Sequence, residues 1–106
     1  MFFELRQYRL FPGKREEWVK FMDDEIIPFQ ASMGMTIVGS FIVENDEDLY
    51  IWIRRFENEE ERKRLYKAVY ESEVWKDDQH PRVKKLLDGE SIVVTRLKAT
   101  PKSIMQ

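Results

Sequence analysis

Leu49-Tyr50-Ile51-Trp52-Ile53-Arg54-Arg55-Phe56 is the stretch on which the fold turns. Branched and aromatic side chains alternate through it with the period of a β-strand, in which successive side chains point to opposite faces. Neither face is polar throughout. Leu49, Ile51 and Ile53 share one side, and Tyr50, Trp52 and Phe56 share the other. A strand that is greasy on both sides must be covered on both sides.

Working outward, residues 35–44 carry the same character, with Ile37, Phe41 and Val43 read on one side and Val38 and Ile42 on the other. The link Asn45-Asp46-Glu47-Asp48 is short and polar, so 35–44 and 49–57 form a hairpin. Residues 2–11 alternate as a further strand, with Phe2, Glu4, Arg6, Tyr8 and Leu10 on one face and Phe3, Leu5, Gln7, Arg9 and Phe11 on the other. Pro12-Gly13 ends it in a turn. Residues 90–98 make the last strand, with Val93 and Leu97 opposite Ile92 and Val94.

Between the strands the period becomes helical. Trp18, Phe21, Met22, Ile26 and Phe29 form one apolar stripe from about Lys14, with a kink expected at Pro28 and a stop at Gly34. Asn58, with Glu61 three residues later, opens a second helix whose inner face carries Leu65 and Val69 beside Tyr66 and Tyr70. Ser72 restarts a helical turn, and Pro81 begins a short third helix that closes near Gly89. Met22, Met33 and Met35 read as core fillers.

The order is thus β-α-β-β-α-β, a ferredoxin-like α+β arrangement of four antiparallel strands. Its first and third strands should be central neighbours, and its second and fourth the edges. Helices cover only one face of such a sheet, so the other would remain an apolar patch larger than monomers usually tolerate. A homodimer is expected.

The 106 residues suit one domain, 1–98, with 99–106 as a tail. Eighteen basic residues against 20 acidic ones leave a net charge of −2 and no field to draw in phosphate backbones or anionic lipid. Neither nucleic acid nor a membrane is an expected partner. The chain has no cysteine, which excludes disulfides, thiol nucleophiles and thiolate metal sites. No stretch has the length of a membrane span, and the opening residues lack the pattern of a signal peptide, so a soluble cytoplasmic protein is expected. There is no phosphate-binding glycine loop, zinc motif or nucleophile elbow.

The segment Phe3-Glu4-Leu5-Arg6-Gln7-Tyr8-Arg9-Leu10-Phe11-Pro12-Gly13-Lys14 resembles the opening of NIPSNAP-family domains, which typically read Y-E-L-R-x-Y-x-L-x-P-G-K. Ile53-Arg54-Arg55-Phe56-Glu57-Asn58, with Glu61-Arg62, is similar to that family's third-strand exit, and Glu73-Val74-Trp75 to a later acidic-apolar-Trp stretch. Arg54 stands where the family often has Trp. The resemblance implies a dimeric α+β barrel, in which two sheets face each other around a cavity. That superfamily includes cofactor-free monooxygenases, haem-degrading enzymes, muconolactone-type isomerases and stress proteins.

With Leu5, Ile51 and Ile53 taken as facing the helices, Glu4, Arg6, Tyr8, Tyr50, Trp52 and Arg54 face the inter-sheet space. Aromatic walls with guanidinium donors suit a flat molecule bearing a carboxylate, enolate or phenolate. The expected function is binding of a small aromatic or carboxylate-bearing molecule there, with the resemblance implying a cofactor-free monooxygenase or isomerase. Tyr8 would then exchange a proton and an arginine would stabilise an oxyanion. The alternative is a dimeric interaction or stress-related module whose cavity is incidental. His80, the only histidine, could serve as an acid–base group or haem ligand. In Asp77-Asp78-Gln79-His80-Pro81 a turn or cap role is the simpler reading, and one short loop converges too little for a metal.

Overall fold

Pairing of the alternating segments produces a single antiparallel sheet in the computed structural model, which describes all 106 residues. Its strands are β1 (Phe2–Arg9), β2 (Thr36–Val43), β3 (Asp46–Phe56) and β4 (Val93–Leu97), in the order β2-β3-β1-β4. The central β1–β3 pair sets Glu4 opposite Arg54, Arg6 opposite Trp52 and Tyr8 opposite Tyr50.

The expected dimeric α+β barrel is corrected here. β2 and β4 are free edges that do not pair, so the sheet stays open. Closure needs tilted strands and paired edges, and about eight strands to surround a packed interior. Four strands fall short of that.

Strand β3 begins three residues earlier than its hydrophobic pattern suggests, because Val43 pairs with Asp46 and only Glu44-Asn45 remains as the turn. The acidic residues there are satisfied locally. Asp46 accepts from the Asp48 N–H at 3.1 Å and from Arg9 Nη1 at 2.8 Å. Strand β2 differs in its faces. A bulge between Ile37 and Gly39 adds Val38 as an extra residue, so Ile37 turns toward the helices and Phe41 away from them. Strict alternation had placed the two together.

The first helical run comprises α1 (Arg15–Phe21), a π-helical segment (Met22–Ile26) and α2 (Ile27–Ser32). Further on come α3 (Glu59–Tyr70), a second π-helical segment (Val74–Gln79) and α4 (His80–Val83). Each π segment ends two residues before a proline, Pro28 in one case and Pro81 in the other. A proline ring clashes with the carbonyl four residues back, here Asp24 and Asp77, and both lie in a widened turn. The expected kink at Pro28 therefore takes the form of a π turn.

Asn58 caps α3 by accepting from the Glu61 N–H at 2.8 Å, a contact whose loss costs about 1 kcal/mol in comparable helices. Glu61 returns a bond to the N–H of Glu57, one residue beyond the expected partner. Gly34 closes the first run with φ of +109°, in the region that favours glycine. The last helix and the turn after it lie beside β1, where Phe11 N–H donates to Leu86 at 2.9 Å and Asp88 N–H to Arg9 at 3.1 Å. The tail folds back so that the Gln106 carbonyl accepts from Arg55 Nε at 2.8 Å. No helix is long and apolar enough to cross a membrane.

Every helix sits on the face that carries Phe2, Glu4, Tyr8, Trp52, Arg54 and Phe56, which are all buried. Leu5, Ile51 and Ile53 are half-buried on the opposite face, where Phe41, Val93 and Leu97 stay exposed. The two faces have thus exchanged the roles expected of them. Alternation shows which side chains travel together, and here both sets are apolar enough to form a core. The helices choose the set bearing Glu4 and Arg54, because Tyr66, Tyr70 and Gln30 supply the hydrogen bonds those charges require.

Candidate functional site

Strands β1 and β3 bring Glu4, Arg6, Tyr8, Tyr50, Trp52 and Arg54 side by side, but beneath their own chain's helices. No inter-sheet space receives them. They divide into a buried brace and the wall of a cavity.

The brace is centred on Arg54, which is fully enclosed. Its Nη2 donates to Glu4 Oε1 at 2.7 Å and to the Tyr66 hydroxyl at 2.8 Å. Its Nη1 donates to Gln30 Oε1 at 2.8 Å and to the Tyr70 hydroxyl at 2.9 Å. The guanidinium also lies 4.7 Å from the Trp52 ring and 5.0 Å from that of Tyr66, within cation–π range. The Tyr66 hydroxyl donates to Glu4 Oε1 at 2.5 Å, and Arg62 Nε donates to Oε2 at 3.3 Å. Burial alone would raise the Glu4 carboxyl, but Arg54 and the bonds from Tyr66 and Arg54 outweigh it and hold it below its ordinary value. Tyr66 is pushed up to about 12, chiefly by burial. Both groups keep their charge states through the physiological range.

Tyr50 is closed off separately, its hydroxyl 2.5 Å from Ser40 Oγ and its proton held more firmly through burial. The remaining three expected residues, Arg6, Tyr8 and Trp52, line a cavity of about 190 Å³ between sheet and helices. The first helical run contributes Trp18, Met22, Ile26 and Gln30 to its walls, and the second side contributes Tyr70, Trp75, His80, Val83 and Lys84. Leu87, Gly89 and Ile92 complete it. Both π segments reach the cavity, through Met22 and Ile26 on one side and Trp75 on the other, and such segments recur at functional sites.

The polar groups on this wall are arranged as donors. The Tyr8 oxygen accepts from Arg6 Nε at 2.8 Å and from Trp52 Nε1 at 2.9 Å, which leaves its own proton free to donate. Burial raises the Tyr8 hydroxyl, so it serves as a neutral donor and not as a base. Arg6 also gives a bond to Tyr66 at 3.3 Å. Burial opposes the charge of Arg6, and the surrounding oxygens of Tyr8, Tyr70 and Tyr66 more than offset this. The wall therefore presents a guanidinium and a phenol hydroxyl to any ligand oxygen, among aromatic rings.

Trp18, Gln30, Tyr70, Trp75 and His80 were missed as wall residues by the reading of the strands. Their signal was present in part, since Trp18 stood out on the first helical stripe, but the stripe alone assigned it to core. His80 is the C-cap residue of the second π-helical segment. It opens α4 and stacks on Trp75, with ring centres 5.4 Å apart. No group of three or more His, Cys, Asp or Glu side chains converges to hold a metal.

The NIPSNAP family model matches residues 3–101. The structure of a NIPSNAP family protein of unknown function from Agrobacterium tumefaciens has a TM-score of 0.88 to this chain at 25% identity. That match covers 100% of this chain and 94% of the other. A second NIPSNAP family protein of the same organism gives 0.87 at 25% identity, covering 99% and 98% of the two chains. An uncharacterized NIPSNAP domain protein from Burkholderia xenovorans gives 0.84 at 17% identity over 97% and 98%, a likeness of fold alone. No curated protein matches the chain.

Proposed function

Since this chain belongs to the NIPSNAP family, its model spanning residues 3–101, we propose that it binds a small aromatic or carboxylate-bearing molecule in the cavity between its sheet and its helices. The observation that carries this reading is the wall itself. Arg6 and the Tyr8 hydroxyl offer donors in a space otherwise bounded mostly by hydrophobic side chains, the composition of a ligand site. For the oxygenation or isomerisation that the resemblance implies, these two groups would stabilise negative charge on a ligand oxygen, Tyr8 as the proton donor.

We assign to the working protein a homodimeric state and a cytoplasmic setting. A second copy would lie over the open sheet face, where Leu5, Ile51, Ile53, Phe41, Val93 and Leu97 form an apolar surface. Arg9 and Arg55 at its rim are already paired with Asp46 and Glu57, so like charges need not oppose the approach. The same surface favours a second reading, an interaction module in which the cavity is incidental.

All three tryptophans of the chain line the cavity, so intrinsic fluorescence reports its occupancy. Aromatic acids should change the emission of the wild type at saturable concentrations. They should leave Val83→Phe, in which a wall residue grows into the space, unchanged at equal thermal stability. Identical titrations of the two proteins would overturn the cavity reading and favour the interaction module.

A further inference from the structure

Resting on that cavity reading, we infer that the occupant is a one-ring carboxylic acid bound as its anion, with the carboxylate acting as a closer counter-ion for Arg6 than the Glu4 carboxylate it shares with Arg54. The balance of charge beneath the helices points to this. Arg6, Arg54 and Arg62 all reach Glu4; Arg62 has a second carboxylate in Glu59 at 3.1 Å, whereas Arg6 and Arg54 have Glu4 alone. Arg54 and Tyr66 occupy Glu4 Oε1, and Arg62 bonds Oε2 at 3.3 Å. Arg6 approaches Oε1 no closer than 3.7 Å.

The Arg6 side chain is only 15% exposed, which limits its contact with bulk water, and it reaches the space of the cavity. Its remaining bonds go to tyrosine oxygens, which satisfy hydrogens without neutralising charge, and Nη2 makes no bond within the protein. The free proton of Tyr8 lies beside it. A guanidinium edge and a hydroxyl donor together match the two oxygens of a carboxylate. No acidic side chain lines the cavity, while Lys84 adds a positive charge to the opposite wall. A cationic ligand would be repelled, and a neutral one would leave Arg6 with the shared Glu4 carboxylate at 3.7 Å as its only counter-ion.

Size narrows the class further. A cavity of about 150 Å³ holds benzene in a designed case. This one, at about 190 Å³, matches one ring with a carboxyl group more closely than two fused rings. The Trp52 and Trp75 rings supply flat walls for it.

Calorimetric titration of the whole protein with benzoate, benzamide, benzylammonium and 2-naphthoate tests the inference. Benzoate should bind at least tenfold more tightly than benzamide, with benzylammonium and 2-naphthoate below detection. In Arg6→Met and in Tyr8→Phe that preference for benzoate over benzamide should fall at least tenfold and about threefold respectively. Benzamide binding as tightly as benzoate to the wild type would overturn the anion assignment and leave the cavity reading intact. Ready binding of 2-naphthoate would overturn the one-ring limit. If no ring compound binds at all, the cavity reading falls as well. The wild-type series decides the matter even if either variant folds poorly.

Discussion

Glu4 and Arg54 place opposite charges in the centre of a small protein, where apolar residues of like volume would be cheaper to bury. The pair persists because every oxygen and nearly every N–H is used, Arg54 Nε being the exception. Removing one partner strands the other. Glu4→Gln should lower stability by about 3–5 kcal/mol at neutral pH, read from urea unfolding. The pH dependence has a definite sign. The folded-state value of Glu4 lies below its ordinary one near 4.5, so the pair's contribution is complete above that value and is lost as pH falls through the lower, folded value. The wild type should therefore weaken toward acid more steeply than Glu4→Gln. Parallel acid profiles for the two proteins would show that Glu4 is not the group responsible.

Among the elements, the two π-helical segments are the least ordinary, and the prolines account for both. Pro28 and Pro81 remove a donor and press on the carbonyl four residues earlier, and widening of the turn relieves that pressure. The widened turns carry Met22, Ile26 and Trp75 to the cavity, so a backbone restriction sets the shape of a side-chain wall. Pro81→Ala should let the second segment tighten toward an ordinary α-helix. The new amide at position 81 should then be protected in hydrogen exchange, and Trp75 emission should shift. Exchange at the rate of an exposed amide would separate the widened turn from the proline. Both prolines were visible in the sequence as helix boundaries. Their effect was legible only as a break, since spacing does not say whether a helix stops, kinks or widens.

At the scale of the whole molecule, the sheet has one face finished and one unfinished. The finished face holds the brace and the cavity, and the unfinished one exposes Phe41, Val93 and Leu97 at 50%, 51% and 39%. Patches of this kind on a small protein call for cover. A second copy provides it in the proposed assembly, and Ile51→Glu, which sets a charge in the middle of that face, should yield a monomer by light scattering at micromolar concentration. Its cavity-linked fluorescence response should remain, because the ligand site belongs to a single chain. A wild type already monomeric under those conditions would remove the dimer and leave the ligand site standing.

Several features needed nothing beyond the order of residues: the succession of strands and helices, the central position of β1 and β3, the Asn58 cap, and the sharing of one face by Glu4, Arg6, Tyr8, Tyr50, Trp52 and Arg54. These follow from periods of about two and 3.6 residues and from local capping, all of which act over short spans of chain. The side of the sheet taken by the helices, the open edges and the cavity were settled only by tertiary packing. Glu4 meets Tyr66 across 62 residues, and Arg54 meets Gln30 across 24. When both faces of a strand are apolar, its pattern is unchanged by turning the sheet over, so partners distant in the chain must make the choice.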